Sequence, residues 1–204
     1  MEVYLYVSSA DADSILECGL RLTIWADRHL GENRDRKFIS AFLNPRDDIE
    51  KFKHKDYVCL KIKAKDDESL IAEKLLYDWG IKDSNMLKLY ENTALKPQRY
   101  RLGFFRNPEY LIGHTVLPQD IEIMRKGLDS PLLYNSSQEL FTSLYIEEAK
   151  EKDESFLDKL LFYFFDLMAQ KGLLYKFENN DLQTFVYYSR EENRVFALKD
   201  PQNN

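Results

Sequence analysis

The sequence predicts an α+β fold: a central mixed or antiparallel sheet with flanking helices, then a helical segment and a C-terminal β-meander. Stretches rich in aromatic and β-branched residues, typical of strands, occur at 3–7, 37–43 and 57–64. Capped or amphipathic stretches with helical spacing lie between and after them. We expect one α+β domain over residues 1–150 and a helix plus meander over 151–204, packed on the same domain.

The composition is typical of a globular protein. The chain has 204 residues, of which 44% are apolar and 14% aromatic, so it can bury a substantial core and is not a disordered chain. The longest apolar run, residues 160–165, is too short to span a membrane, and the first residues lack the apolar segment of a secretory signal. We therefore expect a cytoplasmic protein without membrane contact.

Charge is unevenly distributed along the chain. Residues 1–106 carry 19 basic and 18 acidic side chains, whereas residues 107–204 carry 10 basic and 17 acidic ones. An anionic ligand is therefore expected to bind the first half.

The first 50 residues predict a strand, a short helix and a second strand. The helix over residues 13–18 should end at Gly19, which can adopt the left-handed conformation. An arginine-rich loop is expected over 25–37, followed by a central strand over 37–43 and a turn into a short helix. The candidate N-caps of the first helix are Ser9, Asp11 and Asp13.

The middle and end of the chain alternate between strand and helix patterns. A capping box at residues 136–139 predicts a helix start, and Gly172 should end the very apolar helix 156–171, most of whose circumference we expect to be buried. The other expected elements are strands over 57–64, 86–90 and 109–117, helices over 66–77 and 118–126, and a meander over 173–177, 184–188 and 194–198.

One segment combines basic and aromatic residues. Basic side chains beside exposed rings can follow a phosphate backbone and stack on bases, whereas buried rings would leave the cations at the surface without such a role. The residues that would contact a nucleic acid or protein target are Lys96, Arg99, Tyr100, Arg101 and Arg106.

No common catalytic or metal-binding signature is present. There is no glycine-rich phosphate loop or nucleophile elbow, and His29, His54 and His114 are isolated in sequence, so we expect no metal. Cys18 and Cys59 are expected to be reduced, buried thiols.

Two segments resemble the ADP-ribosyltransferase superfamily. Residues 3–8 (VYLYVS) followed by 14–22 (SILECGLRL) resemble its opening strand and its helix ending in glycine-leucine. Residues 38–46 (FISAFLNPR) resemble a strand-Asn-Pro-Arg segment of the DarT-like, DNA-targeting toxin branch.

The resemblance implies chemistry on NAD. It implies cleavage of the nicotinamide–ribose bond through an oxocarbenium-like transition state and transfer of ADP-ribose to a nucleic acid or protein target, as in a toxin or defence effector. A carboxylate would stabilise the developing charge and arginines would hold the pyrophosphate. The implied carboxylate is Glu109, with Glu139 second; the implied NAD-binding residues are Arg21 and Arg46 for the pyrophosphate, Tyr4 or Tyr6 for stacking, and Ser8.

The first strand departs from the family pattern. Leu5 and Val7 stand where the family has side chains that hydrogen-bond the nicotinamide ribose. Either Ser8 or Ser9 replaces them in a shifted register, or the chain is a fold relative that does not use NAD. The alternative function is a non-catalytic α+β protein-interaction module with a degenerate nucleotide site.

Overall fold

The chain forms two compact units in a computed structural model that describes residues 1–31, 33–124, 134–179 and 184–199. The units comprise residues 1–143 and 144–204, so the division falls shortly before the charged stretch at 150–154. A seven-stranded sheet lies in the first and a three-stranded sheet in the second, which confirms the α+β class and the C-terminal meander.

The first unit is built on strands β1 (Glu2–Ser8), β2 (Arg28–Leu30), β3 (Arg36–Phe42), β4 (Tyr57–Lys63), β5 (Ser69–Glu73), β6 (Pro108–Ile112) and β7 (Ile121–Ile123). Its helices are α1 (Ser9–Cys18), α2 (Leu22–Trp25), α3 (Ile49–Lys53), α4 (Lys74–Gly80) and α5 (Ser84–Thr93). Helix α6 (Ser137–Lys152) crosses the division. The second unit continues with α7 (Phe156–Gln170), β8 (Tyr175–Asn179), β9 (Thr184–Ser189) and β10 (Arg194–Lys199).

The large sheet is antiparallel, with strand order β5-β6-β3-β1-β4-β7 and with β2 paired to the start of β3. Strand β3 is central, as its apolar pattern predicts. Directly paired residues project from the same face of a sheet, and successive residues of a strand project from opposite faces. The register therefore fixes which side chains share a face.

The two faces of this sheet differ in character. Val3 and Val7 of β1 belong to one face, whose apolar core also includes Ile15, Leu60 and Ile62. The other face carries the alternate residues of β1, and its core contains aromatic rings among smaller groups. Only this second face combines rings with a buried carboxylate among the residues that the structure describes.

Helix α1 begins and ends at side chains suited to those positions. Ser8 is its N-cap and accepts a hydrogen bond from the Asp11 backbone N–H at 3.2 Å, so the expected caps Ser9, Asp11 and Asp13 are each wrong. Gly19 ends the helix with φ of 76°, as predicted, and a side chain there would collide with the Val116 carbonyl.

Two stretches that the sequence predicts to be helical form strands instead. Residues 66–77 form a 3-10 turn, strand β5 and the start of α4 rather than one helix, because Ile71 pairs with Tyr110 of β6. The sequence predicts a helix over residues 118–126, but Ile121 to Ile123 form β7 against β4. Residues 125 and 126 of that range lie outside the described part of the chain. In both cases the backbone pairs with an adjacent strand, and this pairing outweighs the preference for a helix that the spacing of apolar side chains indicates.

Two further predictions, one of a strand and one of a loop, are wrong. Residues 86–90 lie in α5 rather than a strand, since Asp83 caps a helix there and accepts from the Asn85 N–H at 2.9 Å. The expected loop over 25–37 contains β2 and the beginning of β3.

The second unit packs α7 on its meander. Phe162 and Phe165 contact Phe185, Tyr187 and Phe196 of the sheet. The expectation that most of α7 is buried is wrong, because Phe165 is its only buried residue. Gly172 follows the helix with a φ of 73°, as predicted.

Candidate active site

One row of paired residues crosses the mixed face of the large sheet. Glu109 of β6 pairs with Phe42 of β3, and Phe42 pairs with Tyr4 of β1. The three side chains therefore share one face, and Tyr4 lies two strands, or about 10 Å, from Glu109. The register thus places the predicted carboxylate and a predicted stacking ring in one row.

Glu109 is held in a buried cluster. Its side chain is 2% exposed, and its Oε2 lies 3.0 Å from Arg28 Nη2 and 3.1 Å from Arg28 Nε. The Tyr90 hydroxyl donates to Oε1 at 2.7 Å. Both carboxylate oxygens therefore have partners, which offsets part of the cost of burying the charge.

The partners of Glu109 are themselves fixed. Arg28 donates from Nη1 to Asp27 Oδ2 at 3.0 Å, and its guanidinium lies 4.1 Å from the ring centroid of Tyr77. Asp27 in turn accepts from the Ser40 backbone N–H at 2.8 Å. The cluster thus joins β2, β3, α4, α5 and β6.

Burial sets the electrostatics of this cluster. Loss of solvent raises the pKa of the Glu109 carboxyl above its ordinary value, although Arg28 and the Tyr90 hydrogen bond lower it in part. Burial lowers the pKa of Arg28, but the Glu109 and Asp27 carboxylates more than offset this and raise it. Burial next to Glu109 also raises the pKa of the Tyr90 hydroxyl.

A cleft adjoins the strand ends that carry Phe42 and Glu109. It consists of two neighbouring cavities of about 250 and 290 Å³ that share Asp47, Ile49 and Asn107. Arg46 lines the first cavity; Phe42 and Pro108 line the second. Phe42 shares the face of Glu109, but Glu109 itself lines neither cavity.

The two cavities have different charge. The first is lined by Arg46 and one carboxylate, that of Asp47, together with amide and hydroxyl side chains. The second is lined by Lys74 and three carboxylates, those of Asp47, Asp48 and Glu50. Anionic groups therefore fit the first cavity better and cationic groups the second.

Neighbouring segments hold the walls of the cleft in place. Glu73 accepts from the backbone N–H of Arg106 at 2.7 Å and of Asn107 at 3.1 Å. Asp47 accepts from the backbone N–H and the hydroxyl of Ser137, both at 2.7 Å, which fixes the start of α6. Burial raises the pKa of the Asp47 carboxyl, while these hydrogen bonds lower it in part.

The candidate residues of β1 have different surroundings. Tyr6 is buried, and its hydroxyl donates to the Pro45 carbonyl at 2.5 Å, whereas Tyr4 is only partly buried. Leu5 and Val7 face the apolar core on the other side of the sheet. Ser8 shares the face of Tyr4, but its hydroxyl donates to Asp11 Oδ2 at 2.6 Å.

The remaining candidates lie apart from Glu109. Arg46 donates to Asn135 Oδ1 at 2.6 Å on the cleft wall. Arg21 precedes α2, is exposed and lines neither cavity. Glu139 is exposed in the first turn of α6, where its N–H donates to the Ser136 hydroxyl at 3.2 Å, one half of the predicted capping box.

The basic and aromatic segment is only partly buried. Phe105 is buried and stacks on Tyr100 with centroids 5.8 Å apart, while Phe104 is 60% exposed. Arg99, Arg101 and Arg106 are exposed, and none forms an ion pair with any described residue. Lys96 donates to the Asp67 carbonyl at 2.6 Å.

Side chains that could bind a metal ion are dispersed among the described residues. No cluster of three or more histidine, cysteine or acidic side chains suited to a metal occurs within the described ranges. Cys59 is buried as expected but Cys18 is exposed, and the two do not form a disulfide with each other. No described helix is both long enough and apolar enough to cross a membrane.

Sequence reasoning missed Arg28, Tyr90 and Glu73. Arg28 stood in a stretch interpreted as a loop, and Tyr90 in a stretch interpreted as a strand. Their partners are 81, 19 and 33 residues away along the chain, so no local pattern could reveal them. Comparison with protein-family models, with curated proteins and with solved structures finds no match for this chain.

Proposed function

We propose that the chain is an ADP-ribosyltransferase that uses NAD as co-substrate, with Glu109 as the carboxylate beside the reacting ribose. The observation that carries the proposal is the register row of Tyr4, Phe42 and Glu109, whose middle residue lines one cavity of the cleft, next to the cavity lined by Arg46. The proposal also rests on the sequence resemblance of the segments around Tyr4 and Arg46.

The two cavities of the cleft differ in charge in the same way as two groups of NAD, the anionic pyrophosphate and the cationic nicotinamide ring. Arg46 offers a guanidinium to the pyrophosphate in the first cavity, a pairing that arginine makes well. The acidic second cavity, with the Phe42 ring on its wall, suits the cationic nicotinamide ring and its ribose. Tyr4 adds an aromatic surface to the same face.

The reaction breaks the bond between the nicotinamide nitrogen and ribose C1′. The bonding electron pair leaves with nicotinamide, and positive charge develops on the ribose. Glu109 stabilises that charge, and an acceptor atom of the target forms the new bond to C1′ and loses its proton. Because Glu109 is buried against Arg28 and Tyr90, the proposal requires that this cluster rearrange when NAD binds.

Calorimetric titration with NAD tests the site, followed by measurement of nicotinamide release. Arg46→Ala should weaken binding roughly tenfold or more, the worth of a charge-assisted hydrogen bond. The matched control is Lys53→Ala, which removes an exposed cation of α3 that lines neither cavity.

Glu109→Gln should leave NAD binding within about threefold and abolish nicotinamide release, because the amide cannot stabilise a cation as a carboxylate does. Glu17→Gln, on the exposed surface of α1, is the acid-to-amide control. The proposal is abandoned if NAD gives neither heat nor thermal shift at millimolar concentration, or if release persists unchanged in Glu109→Gln.

Single-stranded nucleic acid is the acceptor class that the surface favours. Exposed Phe104 lies among the exposed cations Arg99, Arg101 and Arg106, which combines a stacking ring with phosphate partners. Transfer of labelled ADP-ribose to single-stranded DNA, RNA and protein should occur on nucleic acid and fall in Phe104→Ala.

A non-catalytic protein-interaction module with a degenerate nucleotide site is the second candidate function. It is favoured by the second unit, where Leu160, Phe164 and Leu167 of α7 are 44%, 52% and 48% exposed. The engagement of both Glu109 oxygens by Arg28 and Tyr90 also fits a structural carboxylate. A chain that binds no NAD but associates through α7, and loses that association in Phe164→Asp, would support this function.

A further inference from the structure

Another cavity of the first unit is separate from the two cavities of the cleft. It has a volume of about 430 Å³, within the range of about 300–1,000 Å³ typical of small-molecule sites. It shares no lining residue with either cavity of the cleft. Its lining residues are His29, Arg34, Tyr77, Gly80, Ile81 and Leu87.

The lining combines two basic side chains with a ring and an apolar wall. No carboxylate is among the described residues that line the cavity. Among the residues that the structure describes, neither the Arg34 guanidinium nor the His29 imidazole has an ion-pair or hydrogen-bond partner. Two adjacent cationic or donor groups without partners favour an anion, most of all a phosphate group, which arginine can bind with two hydrogen bonds.

The opposite wall suits a flat apolar group. Tyr77 and Leu87 come from α4 and α5, which pack so closely that a side chain at Gly80 would collide with the Leu87 backbone. This close packing gives the cavity a firm wall. A planar base can lie against the Tyr77 ring and Leu87 while its phosphate reaches Arg34.

The backbone at Arg34 supports a positioned side chain. Arg34 has a φ of 53°, in the left-handed region that arginine rarely adopts, and it follows Gly31, whose φ is 94°. The loop therefore keeps an arginine where glycine or asparagine would be less strained. That conformation also offers a clean variant, since glycine removes the guanidinium and relieves the strain.

We propose that this cavity binds a nucleotide, with the phosphate on Arg34 and His29 and the base against Tyr77 and Leu87. The site is independent of the cleft proposed for NAD. Since Tyr77 also lies against Arg28, which holds Glu109, an occupant would contact the support of the Glu109 cluster. The nucleotide is either free in solution or the end of a nucleic acid strand.

Titration of the full chain with AMP, with adenosine, and with a 5′-phosphorylated and an unphosphorylated oligonucleotide tests the proposal. We expect saturable binding of AMP, no binding of adenosine, and a loss of roughly tenfold or more in Arg34→Gly. Arg36→Ala is the matched control. It removes the same charge two residues after Arg34, and the Arg36 side chain does not line the cavity.

The outcomes separate this site from the cleft. Loss of AMP binding in Arg34→Gly but not in Arg46→Ala supports the cavity, whatever NAD does. Binding of the 5′-phosphorylated oligonucleotide tighter than AMP identifies a strand end as the ligand, whereas binding of AMP alone identifies a free nucleotide. Absence of AMP and oligonucleotide binding at millimolar concentration, or equal losses in Arg34→Gly and Arg36→Ala, overturns the proposal.

Discussion

The two faces of the large sheet differ most clearly on β1. Val3, Leu5 and Val7 project to a mainly apolar face, while Tyr4 and Tyr6 project to the face that carries Glu109. Hydrophobic burial is the main stabilising contribution on the first face, whereas the second face also depends on a buried charge and its partners. The difference explains why Leu5 and Val7 lack polar groups: they belong to the core and not to the row that contains Glu109.

The largest expected effect comes from removing the cation of the second face. Arg28→Met leaves Glu109 as a buried carboxylate without its counter-charge, which should cost about 3–5 kcal/mol of unfolding free energy at pH 7. The loss should shrink as the pH is lowered. Burial raises the Glu109 pKa, so the native state binds a proton more readily than the unfolded chain, and stability falls as the pH rises through the raised pKa. Chemical denaturation between pH 5 and 8 measures this.

The apolar face provides the control for that pH dependence. Leu60→Ala, at a fully buried position of β4, should cost about 2–5 kcal/mol at every pH in this range. Adding Glu109→Gln to Arg28→Met should recover stability at pH 7, because the uncompensated charge is gone. Equal pH dependence in Arg28→Met and Leu60→Ala would contradict the assignment of a charged Glu109.

Removal of a single hydroxyl should have a smaller effect. Tyr90→Phe keeps the ring packed against Tyr77 but removes the donor to Glu109 Oε1, at a cost of about 1–3 kcal/mol. The same change should raise the Glu109 pKa further, since a hydrogen bond to the charged form is lost. Carboxyl NMR titration of Glu109 in both proteins measures the shift. An unchanged titration would mean that the hydroxyl does not act on the carboxylate.

The difference between the faces also shows what the sequence could predict. Strands β1, β3 and β4, helices α1, α6 and α7 and the meander follow from local patterns because caps, glycines and alternation lie within a few residues. Strands β5 and β7 were expected to be helices, since their apolar residues fit a helical spacing and only their partners β6 and β4 decide the structure.

The candidate site was predictable to the same extent. Glu109, Arg46 and Tyr4 were each selected from local segments, and the register brings Glu109 and Tyr4 into one row. The Arg28–Glu109 pair joins residues 81 positions apart, and no periodicity in either segment encodes it. The exposure of α7 could not be predicted from local patterns either. The helix is apolar on several sides, but its meander covers only one of them.

The smallest expected effect distinguishes a cap from a ligand-binding side chain at the end of β1. Ser8→Ala removes the N-cap of α1 and should cost about 1 kcal/mol, while Ser8→Asp restores a capping oxygen and most of that stability. If Ser8 only caps the helix, NAD affinity should be the same in Ser8→Ala as in the unmodified chain. If Ser8 instead replaces the hydrogen-bonding residue that Leu5 and Val7 cannot provide, NAD affinity should fall in both variants. Thermal denaturation and NAD titration of the pair decide between the two roles, because one measurement follows the cap and the other follows the hydroxyl.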